Sequence, residues 1–387
     1  MKYDFDKTVQ RHGTNSYKWD GSDNPEMLPM WVADMDFRTS EPIIKALQER
    51  VSHGIFGYTR VPEAYYEAVT GWFSRRHGWN ISKDWIIYTT GVVPALSAII
   101  KALTAPGDKV LIQGPVYNCF YSSIRNNGCH VISNPLIYTG DTYKMDFEDL
   151  ENRTADPEVK AMILCNPHNP AGRVWTEEEL IRLGEICIKN GVTVISDEIH
   201  CELVFPEYRY IPFASISENF QKHSVTCVSA SKSFNIAGLQ IANIVCADEG
   251  LRKKIDKAIN INEVCDVNPF GVIATVAAYN ESEEWLEQLI AYLKGNYDCM
   301  SEYCRKYLPD YPIAKLEGTY LVWMDCRKLH LASEELEERL KDEAALWLNA
   351  GSMYGPEGEG FMRWNIACPR SSLEQGLERF RRFIGQR

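Results

Sequence analysis

The chain has 387 residues, beyond the ~250–300 at which a single core usually stops growing, so a large and a smaller domain are expected. It is 45% hydrophobic and 24% charged, as ordinary globular proteins are, and its net charge of −12 argues against nucleic acid and anionic membrane as partners. There is no apolar run of ~18 residues and no cationic stretch followed by an apolar one, so neither a membrane span nor a secretion signal is expected and the cytoplasm is the expected compartment. The twelve cysteines include no C-x-x-C pair. Cys165, Cys227 and Cys246 sit in apolar runs and read as small buried hydrophobes, so no disulfide framework is expected. The eight histidines show no H-E-x-x-H or H-x-H spacing, so no metal site is expected.

From Trp85 onward, short β-branched runs alternate with helical stretches. WIIYTT leads into PALSAIIKAL; KVLIQ and HVISNPLIY follow; KAMILC precedes TEEELIRLGEICIKN; then come VTVISD, SVTCVSA and IANIVCA. Such alternation predicts an α/β fold with a mostly parallel sheet covered by helices. Thr176 with Glu179 three residues on predicts a capping box at the start of one helix. Later the pattern changes to a long amphipathic helix beginning WLEQLIAYLK, a strand TYLVWMDC, a helix over SEELEERLKDEAALWLNAG and a strand FMRWNIAC. This reads as a smaller α+β domain over 285–387, joined by an N-terminal segment, 1–45, with the large domain spanning 46–284.

In an open α/β sheet, ligands bind outside the carboxyl ends of the strands. Gly91 and Val92 follow WIIYTT at a helix start, where bare N–H groups and the helix dipole suit a phosphate, although a plain strand-to-helix turn would look the same. Tyr117 follows KVLIQ, as either a packed aromatic or a ligand-facing ring. NPHNPAG after AMILC holds two Asn-Pro signals where a turn needs one, so the amide of Asn169 is free to face a ligand. Asp197 ends VTVISD, where a charged carboxylate needs a cationic partner. Last comes Lys232 in VSASKSFNIAGLQIAN, an isolated ammonium among Ser229, Ser231 and Ser233. A phosphorylated, cationic aromatic ring would use the phosphate cradle, the ring face, the amide, the carboxylate and the amine together.

In this order, TGVVPAL, NPHNPAGRVW, SDEIH, SASKSFNIAGLQ and FMRWNIA resemble the fold type I pyridoxal-phosphate enzymes, the aspartate aminotransferase superfamily, over nearly the whole chain. GTNSYKWD, LPMWVADMDF, FGYTR and ACPRS make the chain similar to its cystathionine β-lyase and cysteine-S-conjugate β-lyase branch. The resemblance implies pyridoxal 5'-phosphate joined covalently to Lys232, with Asp197 on the pyridine nitrogen, Tyr117 stacked on the ring and Asn169 at the 3'-oxygen. It implies Gly91, Val92, Ser229 and Ser231 at the phosphate, joined there by Tyr58 from a second subunit, hence a homodimer with shared active sites. Arg363 would hold the substrate α-carboxylate, for which a bidentate guanidinium is suited, and the segment around Ala33 would line the substrate side. Two positions depart from the aminotransferase pattern. Gln240 stands where an arginine usually grips the phosphate, and His200 stands where a tyrosine usually reaches the 3'-oxygen.

The resemblance implies α,β-elimination, with Lys232 as base toward the substrate Cα proton. Cystathionine would give homocysteine, and cysteine would give hydrogen sulfide, each with pyruvate and ammonia. An aminotransferase of the same fold would share these residues, and a regulatory or binding protein could keep the fold alone.

Overall fold

The computed structural model describes residues 2–261 and 267–385. Its centre is a seven-stranded sheet made of β1 (Ile86–Thr89), β2 (Lys109–Ile112), β3 (His130–Ser133), β4 (Val159–Cys165), β5 (Thr193–Asp197), β6 (Ser224–Val228) and β7 (Ala242–Val245). The spatial order is β1-β7-β6-β5-β4-β2-β3. All neighbours are parallel except β7, which runs antiparallel to both β1 and β6. The strands that cross the middle are apolar on both faces, as a helix-covered sheet requires; every residue of β6 is buried.

Helices fold from local signals that agree with this layering. Thr176 and Glu179 form the capping box in full at the head of Glu177–Lys189, a motif whose loss costs about 1 kcal/mol. Asp146, Ser217 and Asp248 cap three further helices by accepting from the backbone N–H three residues on. Gly91 is the extended residue immediately before the helix Val92–Leu103.

A second, antiparallel sheet is built from β8 (Leu321–Asp325), β9 (Asn349–Ala350) and β10 (Phe361–Asn365), with β10 central. The helix Glu283–Tyr307 precedes it and Arg370–Gly385 follows it. The N-terminal segment joins this region: Leu28 and Pro29 pair in parallel with Leu346 and Trp347, and Asn365 N–H donates to the Met30 carbonyl. The core between the layers is dense with large side chains, among them Trp72, Trp285 and Trp364, all at most 2% exposed.

Two elements differ from the sequence expectation. The helix expected over 333–351 ends at Ala344; Ala345 takes a left-handed φ of 49°, and the next residues pair as strands. Helical pattern yields there to pairing partners that lie far away in sequence. HVISNPLIY is also not one strand: Asn134 and Pro135 separate β3 from Ile137–Tyr138, because a proline ring offers no N–H to a ladder.

Candidate active site

The carboxyl ends of β4, β5 and β6 deliver the chemistry. Asp197 closes β5, registered opposite Cys165 of β4 and Cys227 of β6. Lys232 lies four residues past β6, in the one-turn helix Ala230–Ser233. Both side chains line a cavity of about 500 Å³, within the range of small-molecule sites. The same wall carries Gly91, Val92, Tyr117, Asn169, His200 and Ser231, and from the second sheet and the N-terminal segment Arg363 and Ala33.

Burial sets the charges. Asp197 is buried and its carboxylate accepts one hydrogen bond, from the Ile199 N–H at 3.1 Å. It has no ion-pair partner within 4 Å among the described residues, and desolvation raises its pKa to about 7. Burial also depresses Lys232, to about 8, with the Arg363 guanidinium adding to the effect. Its Nζ donates to the Ala33 carbonyl at 2.7 Å, and that carbonyl also accepts from the Tyr320 hydroxyl at 2.9 Å. His200 is held neutral, its pKa lowered to about 3 by burial and then by Lys232 and Arg363. Its Nδ1 is buried without a partner.

Arg363 sits in the middle of β10, opposite Trp323 of β8 and Asn349 of β9. One of its terminal nitrogens donates to Asn169 Oδ1 at 3.3 Å and the other to the Trp31 carbonyl at 2.6 Å, while its Nε is buried without a partner. The Tyr354 ring lies 5.0 Å from the guanidinium carbon.

The loop around Ala33, residues 30–37, forms the entrance side of the cavity. It is fixed by a charge cluster in which Lys18 and Asp36 are buried and Arg11 and Asp34 partly exposed. Lys18, 1% exposed, reaches Asp36 at 2.8 Å, and Arg11 bridges Asp36 at 2.7 Å and Asp34 at 2.6 Å. Behind the loop, Trp31 stacks flat on Trp347, with ring centres 4.2 Å apart and planes 7° apart.

Two expected residues, and the departing Gln240, stand apart from the cavity wall. Ser229 is buried behind it: its hydroxyl donates to the Ile241 carbonyl and accepts the Ser231 N–H, so it caps the lysine-bearing turn and leaves Ser231 as the serine on the wall. Tyr58 is 97% exposed and far from covering its own cavity. Gln240 is an exposed left-handed residue ending a short turn, so it supplies no replacement for the missing arginine.

The description of aminotransferases of class I and II matches residues 25–380 of this sequence. The chain belongs to the class I and II aminotransferase family. Cystathionine beta-lyase PatB of Bacillus subtilis is 44% identical over 381 residues, covering 97% of this chain and 98% of PatB. Protein MalY of Escherichia coli is 34% identical, with 97% of each chain covered. Among solved structures, cystalysin of Treponema denticola, which contains a pyridoxal 5'-phosphate cofactor, superposes with a TM-score of 0.97 at 33% identity over the whole of both chains.

Within this family member, sequence reasoning missed Asn349 and Tyr354. Both line the cavity, and Asn349 donates to the Trp31 carbonyl and to the Tyr354 hydroxyl, each at 3.0 Å. The only signal was a polar residue in ALWLNAG, which the helical pattern obscured. Tyr17, Trp31, Cys119 and Met353 also line it; Trp31 lies in the segment around Ala33 expected there and Cys119 lies two residues after Tyr117, while Tyr17 and Met353 belong to no strand-end motif.

Proposed function

We propose that this protein is a pyridoxal 5'-phosphate-dependent carbon–sulfur β-lyase. It converts an S-substituted cysteine and water into a thiol, pyruvate and ammonium. The observation that carries this reading is the convergence of Lys232, Asp197 and Arg363 on one cavity, with Lys232 depressed to about 8 and Asp197 lacking a cation. A protonated pyridine nitrogen is the missing partner for Asp197. The unpaired Nδ1 of His200, the open helix start at Gly91 and the cavity volume fit the rest of that cofactor.

Bound there, pyridoxal phosphate supplies an aldehyde that bonds amines and a ring that withdraws electrons from the substrate Cα. Asp197 holds the proton on the ring nitrogen. Tyr117 covers one ring face, and Asn169 and His200 line the 3'-oxygen side. Gly91 and Val92 N–H groups and the Ser231 hydroxyl bind the phosphate, with Ser229 fixing Ser231, and the partner subunit's Tyr58 completes that grip in a homodimer. Arg363 binds the α-carboxylate through two donors and so orients the Cα–H bond. Lys232 takes the Cα proton, because at neutral pH a desolvated amine near 8 is partly unprotonated where a surface lysine, near ~10.4, is not.

The substrate is a free amino acid of small size. Among the described residues, no helix is long and apolar enough to cross a membrane, and we place the enzyme in the cytoplasm. We divide the chain into a large domain over 46–284 and a small one over 285–387, with 1–45 completing the small domain and the entrance. The test is pyruvate release from an S-substituted cysteine by the cofactor-loaded enzyme, followed by coupled NADH oxidation. Wild-type release that Lys232→Ala abolishes supports the reading, and undiminished release by that variant refutes it.

A further inference from the structure

The cavity has a half that the proton chemistry leaves unused. Each ionised or titratable group above has an assignment: Lys232, Asp197 and His200 face the cofactor, and Arg363 takes the α-carboxylate. The wall beyond them is formed by Tyr17, Trp31, Cys119, Met353 and Tyr354, with the amides of Asn118 and Asn349 as uncharged polar contributions. None of these side chains is charged; the adjoining cation is Arg363, bonded to the Trp31 carbonyl and 5.0 Å from the Tyr354 ring, and it is taken by the α-carboxylate.

Its two aromatic parts differ in how they are held. Trp31 is braced flat against Trp347, whose Nε1 donates to Glu337 at 3.0 Å, and the Trp31 Nε1 donates to the Lys18 carbonyl at 3.3 Å. Tyr17 leans on Trp31 with ring centres 5.2 Å apart and is 78% exposed, so a guest on this wall would cover its ring. Met353, 41% exposed, adds a polarizable thioether that adapts to different shapes.

We infer that this enzyme prefers S-substituted cysteines whose sulfur carries a neutral apolar or aromatic group over those whose sulfur carries a second amino acid, such as cystathionine or cystine. The inference rests on the lyase reading and adds the class of leaving group. An apolar substituent buries against Trp31 and Tyr17 at no polar loss. A distal zwitterion must instead lose water. Its ammonium could sit over an indole face, but its carboxylate meets no cation on this wall.

The test compares S-benzyl-L-cysteine with L-cystathionine on the cofactor-loaded enzyme as it assembles in solution, so that any charge brought by a second subunit counts. The expected kcat/KM, from pyruvate release, favours S-benzylcysteine at least tenfold. Tyr17→Ala removes the exposed ring and Met353→Arg adds a cation; each should lower that ratio about tenfold. Equal or better turnover of cystathionine overturns the inference, as does a ratio that neither variant moves. Binding read by quenching of intrinsic tryptophan fluorescence separates the two readings. If neither compound gave pyruvate, the lyase reading would fail, while a Kd at least tenfold lower for S-benzylcysteine would still support the apolar wall. Equal or reversed affinities would overturn it.

Discussion

Lys232 Nζ donates a 2.7 Å hydrogen bond to the backbone carbonyl of Ala33, 199 residues earlier in the chain. The contact ties the amine at the end of the central sheet to the entrance loop. A neutral amine that donates to this carbonyl keeps its lone pair free for the cavity, which suits a base.

That geometry and the depressed pKa make a prediction about reactivity. In protein freed of cofactor, Lys232 should label with an amine reagent with a midpoint at pH about 8, whereas surface lysines should label near ~10.4. Competitive labelling followed by peptide mass spectrometry reads both. A Lys232 midpoint indistinguishable from the surface set would remove the basis for its role.

Replacing Lys232 by alanine should lower kcat by at least ~10³-fold, since the main proton-transfer group is lost. The fold should persist, because the lysine makes one hydrogen bond and burying its charge is unfavourable. Circular dichroism and thermal unfolding of the variant check the second half.

Asp197 gives a stability prediction whose sign follows from its raised pKa. Its folded value of about 7 lies above the ordinary carboxyl value, so without cofactor it stabilises the fold only while protonated. That contribution is complete below the unfolded value near ~3.9 and is lost as pH rises through 7. Cofactor-free Asp197→Asn should therefore match the parent at pH 4 and exceed it by at least ~1 kcal/mol at pH 8. Urea titrations at the two pH values decide it; a parent that is the more stable at pH 8 would contradict the assignment.

Arg363→Lys keeps the charge but loses the two-pronged grip. KM for the amino acid should rise ~10–100-fold with a smaller change in kcat, since a missing bidentate contact weakens binding by a few kcal/mol at most. Steady-state kinetics show the split; an unchanged KM would place the carboxylate elsewhere.

The proposed sharing of sites between two subunits is testable. Tyr58→Phe and Lys232→Ala subunits, each impaired alone, should recover up to about a quarter of the activity when mixed and reassembled, because half the dimers would carry one intact site of two. No recovery on mixing would mean that Tyr58 serves its own subunit's cavity or none.

The sequence and the structure agree best where one physical rule governs. A parallel sheet gathers whatever follows its strands at one edge, so Asp197, Lys232, Asn169 and Tyr117 could be assigned to a common site from their positions alone. Arg363 lies on the second sheet, and only the resemblance linked it to that edge. Asn349 escaped because 346–350 carries a helical pattern overruled by strand partners at Leu28 and Arg363, and Tyr354 because it sits in the short turn Gly351–Tyr354 rather than after a strand of the central sheet. The Trp31–Trp347 stack joins residues more than three hundred positions apart, which no local pattern encodes. The resemblance places Ser229 at the phosphate, whereas the fold uses its hydroxyl to cap the turn that carries Lys232.

The most direct measurement is the stoichiometry of thiol and pyruvate released by the cofactor-loaded enzyme from one S-substituted cysteine, with no keto acid added. The account predicts one thiol per pyruvate through many turnovers, and no stimulation when a keto acid is supplied. Turnover that stops after one equivalent per site and resumes only with a keto-acid acceptor would contradict elimination and identify a transaminase.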